Sequence, residues 1–87
     1  MKHAGPNAIR QLEPLLNSIR GFPGLREKRP GIFYMKSRAF LHFHEDAKGL
    51  FADLRVSEDF LRFPVNTARQ QNTLVARIER LVTKRGR

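Results

Sequence analysis

The chain contains no cysteine and no long apolar run. The first absence excludes disulfide bonds, thiolate metal ligands and a cysteine nucleophile. The second excludes a membrane-spanning helix, which needs roughly 18 consecutive apolar residues. The opening residues, Met1 to Pro6, also lack the apolar region of a secretory signal. We therefore expect a cytoplasmic protein without a membrane partner, held together by packing alone.

Acidic residues are scarce as well. Eight Asp and Glu stand against 17 Lys and Arg, which gives a formal net charge of +9. The excess lies in two basic blocks, residues 20–38 and residues 66–87, on either side of a mildly acidic middle. Such a balance favours contact with a polyanion, or it serves solubility alone.

Motifs of common enzyme classes are missing. The serines lie in no nucleophile-elbow context, and no glycine run is typical of a phosphate-binding loop. The sequence indicates no cofactor, and it favours a binding role over a catalytic one. With 87 residues, of which 40% are hydrophobic, the chain is long enough for a single domain with one modest core. We expect that domain to span residues 1–87, with short flexible tails at residues 1–5 and 84–87.

Periodicity predicts a helix near each end of the chain. In the first, apolar residues recur at helical spacing, namely Ile9, Leu12, Leu16 and Ile19. Pro14 interrupts it, so the helix is either kinked or regular only after Gln11, and Gly21-Phe22-Pro23-Gly24 ends it. A capping box formed by Thr67 and Gln70 starts the last helix, whose apolar residues are Leu74, Ile78, Leu81 and Val82.

Between these helices the apolar pattern alternates, as in strands. Three strands are predicted: residues 32–35, residues 38–44 and residues 50–56. Lys36-Ser37-Arg38 and Glu45-Asp46-Ala47-Lys48-Gly49 connect them as hairpin loops, and Ser57 is predicted to cap a short helix through Phe60 and Leu61 that Pro64 ends. The expected fold is therefore two-layer α+β, with a three-stranded antiparallel meander and the N- and C-terminal helices on one face (α-β-β-β-α).

The two faces of this predicted sheet differ in character. The helices should cover the face that carries Ala39, Leu41, Phe43, Leu50, Ala52 and Leu54. The opposite face would then display Phe40, His42, His44, Phe51, Asp53 and Arg55, with Tyr34 or Phe33 depending on register. Aromatic rings on an uncovered face indicate a site of contact if they are contiguous.

One hypothesis for this face is contact with nucleic acid. Open sheets bind single strands by stacking bases on aromatic rings and pairing phosphates with cations. Here the stacking residues would be Phe40, Phe51 and Tyr34, and the phosphate ligands would be Lys36, Arg38 and Arg55. An alternative is a homodimer that seals the same aromatic face and needs no ligand.

A second hypothesis is a metal or acid-base site. His42 and His44 alternate on one strand and point the same way, and Asp53 on the next strand shares their face. Imidazole and carboxylate together suit zinc, iron or manganese. The alternative is a half-exposed histidine pair that is neutralised by Asp53 or by the acidic loop at Glu45 and Asp46.

The segment from Phe22-Pro23-Gly24-Leu25 to Lys36-Ser37-Arg38-Ala39-Phe40-Leu41-His42-Phe43 resembles the opening of the small bacterial MmcQ/YjbR-like proteins. The resemblance covers roughly residues 9 to 56. It implies an α+β fold with an antiparallel sheet, and a DNA-binding label is sometimes attached to such proteins. The Trp-containing later segment of that family has no counterpart here.

Overall fold

The structure, a computed structural model, describes residues 2–85 and the side chains of residues 2–83. Within that range the fold is α+β, with three helices and six strands. In chain order the elements are β1 (Lys2–His3), α1 (Pro6–Gln11), α2 (Glu13–Arg20), β2 (Leu25–Arg29), β3 (Ile32–Met35), β4 (Arg38–Asp46), β5 (Gly49–Arg55), β6 (Phe60–Pro64) and α3 (Ala68–Arg85).

All six strands belong to one antiparallel sheet. Its main order is β2-β3-β4-β5-β6, and β1 pairs with the end of β4 that lies beyond β3. The predicted meander corresponds to β3, β4 and β5, so the α+β class is confirmed but the strand number is wrong. One sheet face and the helices share a single apolar core that includes Leu16, Leu41, Leu54 and Ile78, each fully buried. The other face is what we call the outer face.

The predicted first helix is two helices. Pro14 is the second residue of α2, where its missing N–H costs nothing, and Leu12 marks the break with φ −89° and ψ 0°. The amide of Leu12 still donates to the carbonyl oxygens of Ala8 and Ile9. The proline therefore redirects the chain while the apolar stripe stays on the core.

A β-bulge at Phe40 overturns one prediction about the faces. Phe33 pairs with Leu41, but the next residue, Tyr34, pairs with Ala39, so Phe40 is an extra residue on β4. Its side chain is only 1% exposed. The prediction that Phe40 lies on the uncovered face with His42 is therefore wrong, because strict alternation fails where a residue is inserted.

The short helix predicted after Ser57 is also wrong, since this segment forms β6. The chain turns through the hydrogen bond from the Val56 amide to the Asp59 carbonyl, 3.1 Å, and then pairs along β5. Phe63 lies opposite Ala52 and packs against the core. Pairing with β5 overrides the local cap signal at Ser57.

The predicted capping box is confirmed at the start of α3. The Gln70 amide donates to Thr67 Oγ1 (3.1 Å), and Gln70 Oε1 accepts from the amides of Thr67 (3.2 Å) and Asn66 (2.8 Å). The Asn66 side chain also binds the backbone of Leu50. Its Oδ1 accepts from the Leu50 amide at 2.8 Å, and its Nδ2 donates to the Leu50 carbonyl at 3.1 Å. The cap therefore fixes α3 directly to β5.

Residues expected in flexible tails take part in the fold. Lys2 and His3 pair with Glu45 and His44 of β4, and the Ala4 amide donates to the Phe43 carbonyl at 3.0 Å. At the other end α3 continues to Arg85, while Gly86 and Arg87 lie outside the described residues. None of the described helices is long and apolar enough to cross a membrane.

Candidate metal centre

Three histidines meet on the outer face of the sheet. His42 and His44 alternate on β4 and therefore share this face. His3 joins them because β1 pairs with β4 so that His3 lies opposite His44. The rings of His3 and His44 stack with centroids 4.9 Å apart, and His42 lies 5.8 Å from His3 and 6.0 Å from His44. The site is thus built by strand register.

The spacing of this cluster suits a metal ion. One ring nitrogen from each histidine lies within 4.8 Å of the other two. Around a tetrahedral zinc with Zn–N bonds of about 2.0–2.1 Å, neighbouring nitrogens are about 3.4 Å apart. Small side-chain rotations would close that difference. His3 is exposed, whereas His42 and His44 are half-buried.

Asp53 stands beside the cluster, on β5. Its Oδ2 lies 3.2 Å from His44 Nε2, and Arg62 on β6 binds both of its carboxylate oxygens, at 2.7 and 2.9 Å. The nitrogens that lie within 4.8 Å of one another belong to the three histidines, and the Asp53 carboxylate is not in that group. The predicted trio of His42, His44 and Asp53 is therefore adjacent in space, with Asp53 next to His44.

His44 carries a buried atom without a hydrogen bond. Its Nδ1 is shielded from solvent and has no hydrogen-bond partner among the described residues, although the backbone of Lys2 is near enough to raise the pKa of His44. A neutral imidazole has one N–H and one lone pair. If Nε2–H donates to Asp53, the lone pair of Nδ1 is unsatisfied by protein groups, which normally costs about 1–3 kcal/mol.

Burial keeps two of the imidazoles neutral. It is the main cause that lowers the pKa of His42, and the nearby His44 and His3 lower that pKa further. Burial likewise lowers the pKa of His44, against the opposing effect of Asp53. The Arg62 hydrogen bonds hold the pKa of Asp53 below its usual value. At neutral pH His42 and His44 therefore present uncharged nitrogen donors beside an ionised carboxylate, the protonation state that a metal ion requires.

Of the six residues predicted to contact nucleic acid, four line one cavity of about 320 Å³, namely Lys36, Arg38, Phe40 and Arg55, and the other two lie apart from it. Phe51 is half-buried opposite His44, and Tyr34 lies two strands away on β3. The Arg55 guanidinium donates to the carbonyls of Ala39 (2.7 Å) and Glu58 (3.2 Å). Arg55 thus serves the fold, Phe40 is buried, and Lys36 and Arg38 are exposed at the turn between β3 and β4.

Sequence reasoning missed two members of this face. His3 has no local signal, since only the pairing of β1 with β4 brings it to His44. Phe60 was assigned to a helix, but on β6 its ring lies 5.3 Å from His42 and 4.6 Å from the Arg55 guanidinium. The one available signal was that the chain has three histidines in all, so a site with three histidine ligands would have to include His3.

Comparison with protein-family models, with curated proteins and with solved structures finds no match. The resemblance to MmcQ/YjbR-like proteins therefore stays a prediction, and the site has to be interpreted from its own chemistry.

Proposed function

We propose that this protein binds a divalent transition-metal ion through His3, His42 and His44. The observation that carries the proposal is the approach of three imidazole nitrogens to within 4.8 Å of one another. Imidazole is a preferred ligand of zinc, copper, nickel and iron, and not of magnesium or calcium. The unsatisfied Nδ1 of His44 adds support, because an ion bound by that nitrogen would use its otherwise unpaired lone pair.

Three nitrogen ligands leave at least one coordination position for water or another small ligand. Asp53 contributes in a different way from the predicted one. A carboxylate that accepts a hydrogen bond from a ligating histidine fixes its tautomer and raises its basicity. We assign this role to Asp53 toward His44, because Arg62 already holds its carboxylate in place at 2.7 and 2.9 Å.

A bound ion would also stabilise the fold. His3 lies on the two-residue strand β1, which pairs with the end of β4. Coordination of His3 together with His42 would bridge these two strands. A ligand at 100 times its Kd stabilises the native state by about 2.7 kcal/mol, which corresponds to roughly 10–20 °C in the Tm of a domain of this size.

The test is a zinc titration of tag-free protein that has been stripped with EDTA. We expect one ion per chain by calorimetry and by elemental analysis. All three histidines of the chain belong to the cluster, so proton–nitrogen correlation spectra of the imidazoles should show every ring nitrogen signal moving on saturation. Absence of binding, or saturation that leaves the imidazole signals unmoved, contradicts the proposal.

Variants separate the site from general surface binding. His3→Ala changes an exposed residue and should leave the metal-free Tm nearly unchanged while it weakens binding and reduces the metal-induced rise in Tm. His42→Gln keeps a polar side chain at a half-buried position and should do the same. Gln11→Ala, at an exposed position of α1, is the matched control and should bind like the unaltered protein. Equal binding by all four proteins would refute the assignment.

The homodimer alternative stays a prediction. One feature would suit it, namely the exposure of Phe60 (39%) and Leu61 (41%) on β6, a strand at the end of the sheet order.

A further inference from the structure

A second charged feature lies at the other side of the outer face, where β2, β3 and the turn after β3 meet. It is a cavity of about 300 Å³, which we call the basic cavity, lined by Gly24, Arg26, Lys28, Tyr34, Lys36 and Ser37. Three of these six residues are cationic, one is aromatic and none is acidic. Glu27, the acidic residue of β2, pairs with Phe33 and is bound by Arg20 at 2.6 Å.

Strand pairing places two of these cations beside Tyr34. The register of β2 against β3 shifts at Lys28, since Glu27 pairs with Phe33 and Arg29 with Ile32, so Lys28 is an extra residue on β2. Arg26 pairs with Tyr34 across the ladder, and the Lys28 ammonium lies 4.6 Å from the centroid of the Tyr34 ring. The half-buried ring therefore lies beside two exposed cations.

We propose that the basic cavity binds single-stranded nucleic acid, with a base stacked on Tyr34 and phosphates paired with Arg26 and Lys28. The combination of a fixed ring and flanking cations is what stacking platforms for single strands use. A membrane surface would favour apolar side chains that insert into lipid, and none lines the cavity. This inference is independent of the metal proposal, since none of the three histidines takes part.

The turn after β3 extends the proposed path. Lys36 lines the basic cavity and also a neighbouring cavity of about 320 Å³, whose other lining residues include Arg38 and Arg55. Lys36 and Ser37 both have positive φ, 51° and 71°. A two-residue turn of this kind normally takes Asn-Gly, so a lysine and a serine there are held in an unfavourable conformation. Strain of this kind is a feature of functional loops. Here the strained turn places Lys36 where the two cavities meet.

The experiment is fluorescence anisotropy with a labelled single-stranded oligothymidine and a labelled oligouridine, in EDTA so that no metal takes part. We expect binding that weakens linearly on a log–log plot between about 50 and 200 mM salt, with a slope near −0.7 per phosphate contact. Removing one phosphate contact should reduce that slope by about one unit or less.

Matched variants locate the site. Tyr34→Leu should weaken binding by roughly 5- to 150-fold through lost stacking, while Tyr34→Phe should keep it. The double variant Arg26→Ala/Lys28→Ala should lose both affinity and salt slope. Arg69→Ala/Arg80→Ala removes the same charge from exposed positions of α3 and is the control. Circular dichroism and Tm establish that each variant is folded.

Several outcomes would overturn the inference. One is an absence of binding at low salt, and another is an equal loss in the two double variants, which would indicate diffuse attraction by the net charge. A third is binding to phosphatidylserine vesicles that is as strong as oligonucleotide binding and indifferent to Tyr34→Leu. Because the assay excludes metal, its failure would leave the zinc titration untouched, and the reverse also holds.

Discussion

Replacing Asp53 by asparagine should weaken metal binding without removing any of the three histidines. Asp53 is shielded, with its side chain 17% exposed, and its Oδ2 lies 3.2 Å from Nε2 of His44, whose side chain is 14% exposed. Asparagine keeps the shape of this group but loses the negative charge. The change therefore tests whether the carboxylate acts on the ion through His44.

The expected magnitude follows from the role of the partner. Loss of a carboxylate that orients a ligating histidine typically costs 10- to 100-fold in metal affinity, which is about 1.4–2.7 kcal/mol. Because Asp53 and His44 are both largely shielded from water, little solvent screening reduces the effect. We therefore expect a loss inside that range.

Arg62 provides the matched comparison. It binds the same carboxylate at 2.7 and 2.9 Å and lowers the pKa of His44 through its positive charge, yet its side chain is 51% exposed. Arg62→Gln removes a cation that repels the metal ion, while the glutamine amide can still donate a hydrogen bond to the Asp53 carboxylate and keep it oriented. It should preserve or tighten binding, so the two substitutions at one ion pair are expected to act in opposite directions.

Competition between the protein and a chromophoric zinc chelator measures both affinities at fixed pH and salt. The Tm in EDTA shows how each substitution affects the metal-free fold. If Asp53→Asn binds zinc as tightly as the unaltered protein, or if Arg62→Gln weakens binding as much as Asp53→Asn does, the assigned role of the carboxylate is refuted.

Two further predictions concern the fold that supports the site. Gly49→Ala should lower the free energy of unfolding by about 1–3 kcal/mol, because Gly49 has φ 134° and an added Cβ would lie 2.6 Å from Asn66 Oδ1. An unchanged urea midpoint would contradict this. Glu27→Gln should cost about 1 kcal/mol or less at neutral pH. The hydrogen bond from Arg20 lowers the pKa of Glu27, so its contribution is complete above the unfolded-state pKa and is lost as pH falls through the folded-state pKa. Unfolding curves of the two proteins should therefore converge in acid, and a constant difference at every pH would count against the ion pair.

Local patterns predicted the elements whose cause is local. The alternation in β5 and the Thr67–Gln70 capping box are properties of neighbouring residues, and both were identified. The strand content of β6 comes from pairing with β5, whereas the sequence around Ser57 favours a cap. The bulge at Phe40 also has a non-local cause, because the extra residue can be recognised only when β4 is aligned with β3.

The candidate site follows the same division. His42 and His44 were predicted to share a face because alternation on one strand determines it. His3 was not predicted, because it lies far from His44 in the sequence and only the pairing of β1 with β4 brings the two residues together. Asp53 was placed on the correct face, but its bond to Arg62 depends on β6, which the sequence did not reveal.

The composition of β2 has a consequence for how copies of this chain behave at high concentration. As the first strand in the sheet order, β2 has one open backbone edge, the kind of edge onto which a second chain can add and start an aggregate. Four of its five residues, Arg26 to Arg29, are charged. Two approaching copies would have to bring net positive charge together at this edge, so the cations proposed to attract a polyanion would also oppose uncontrolled strand addition.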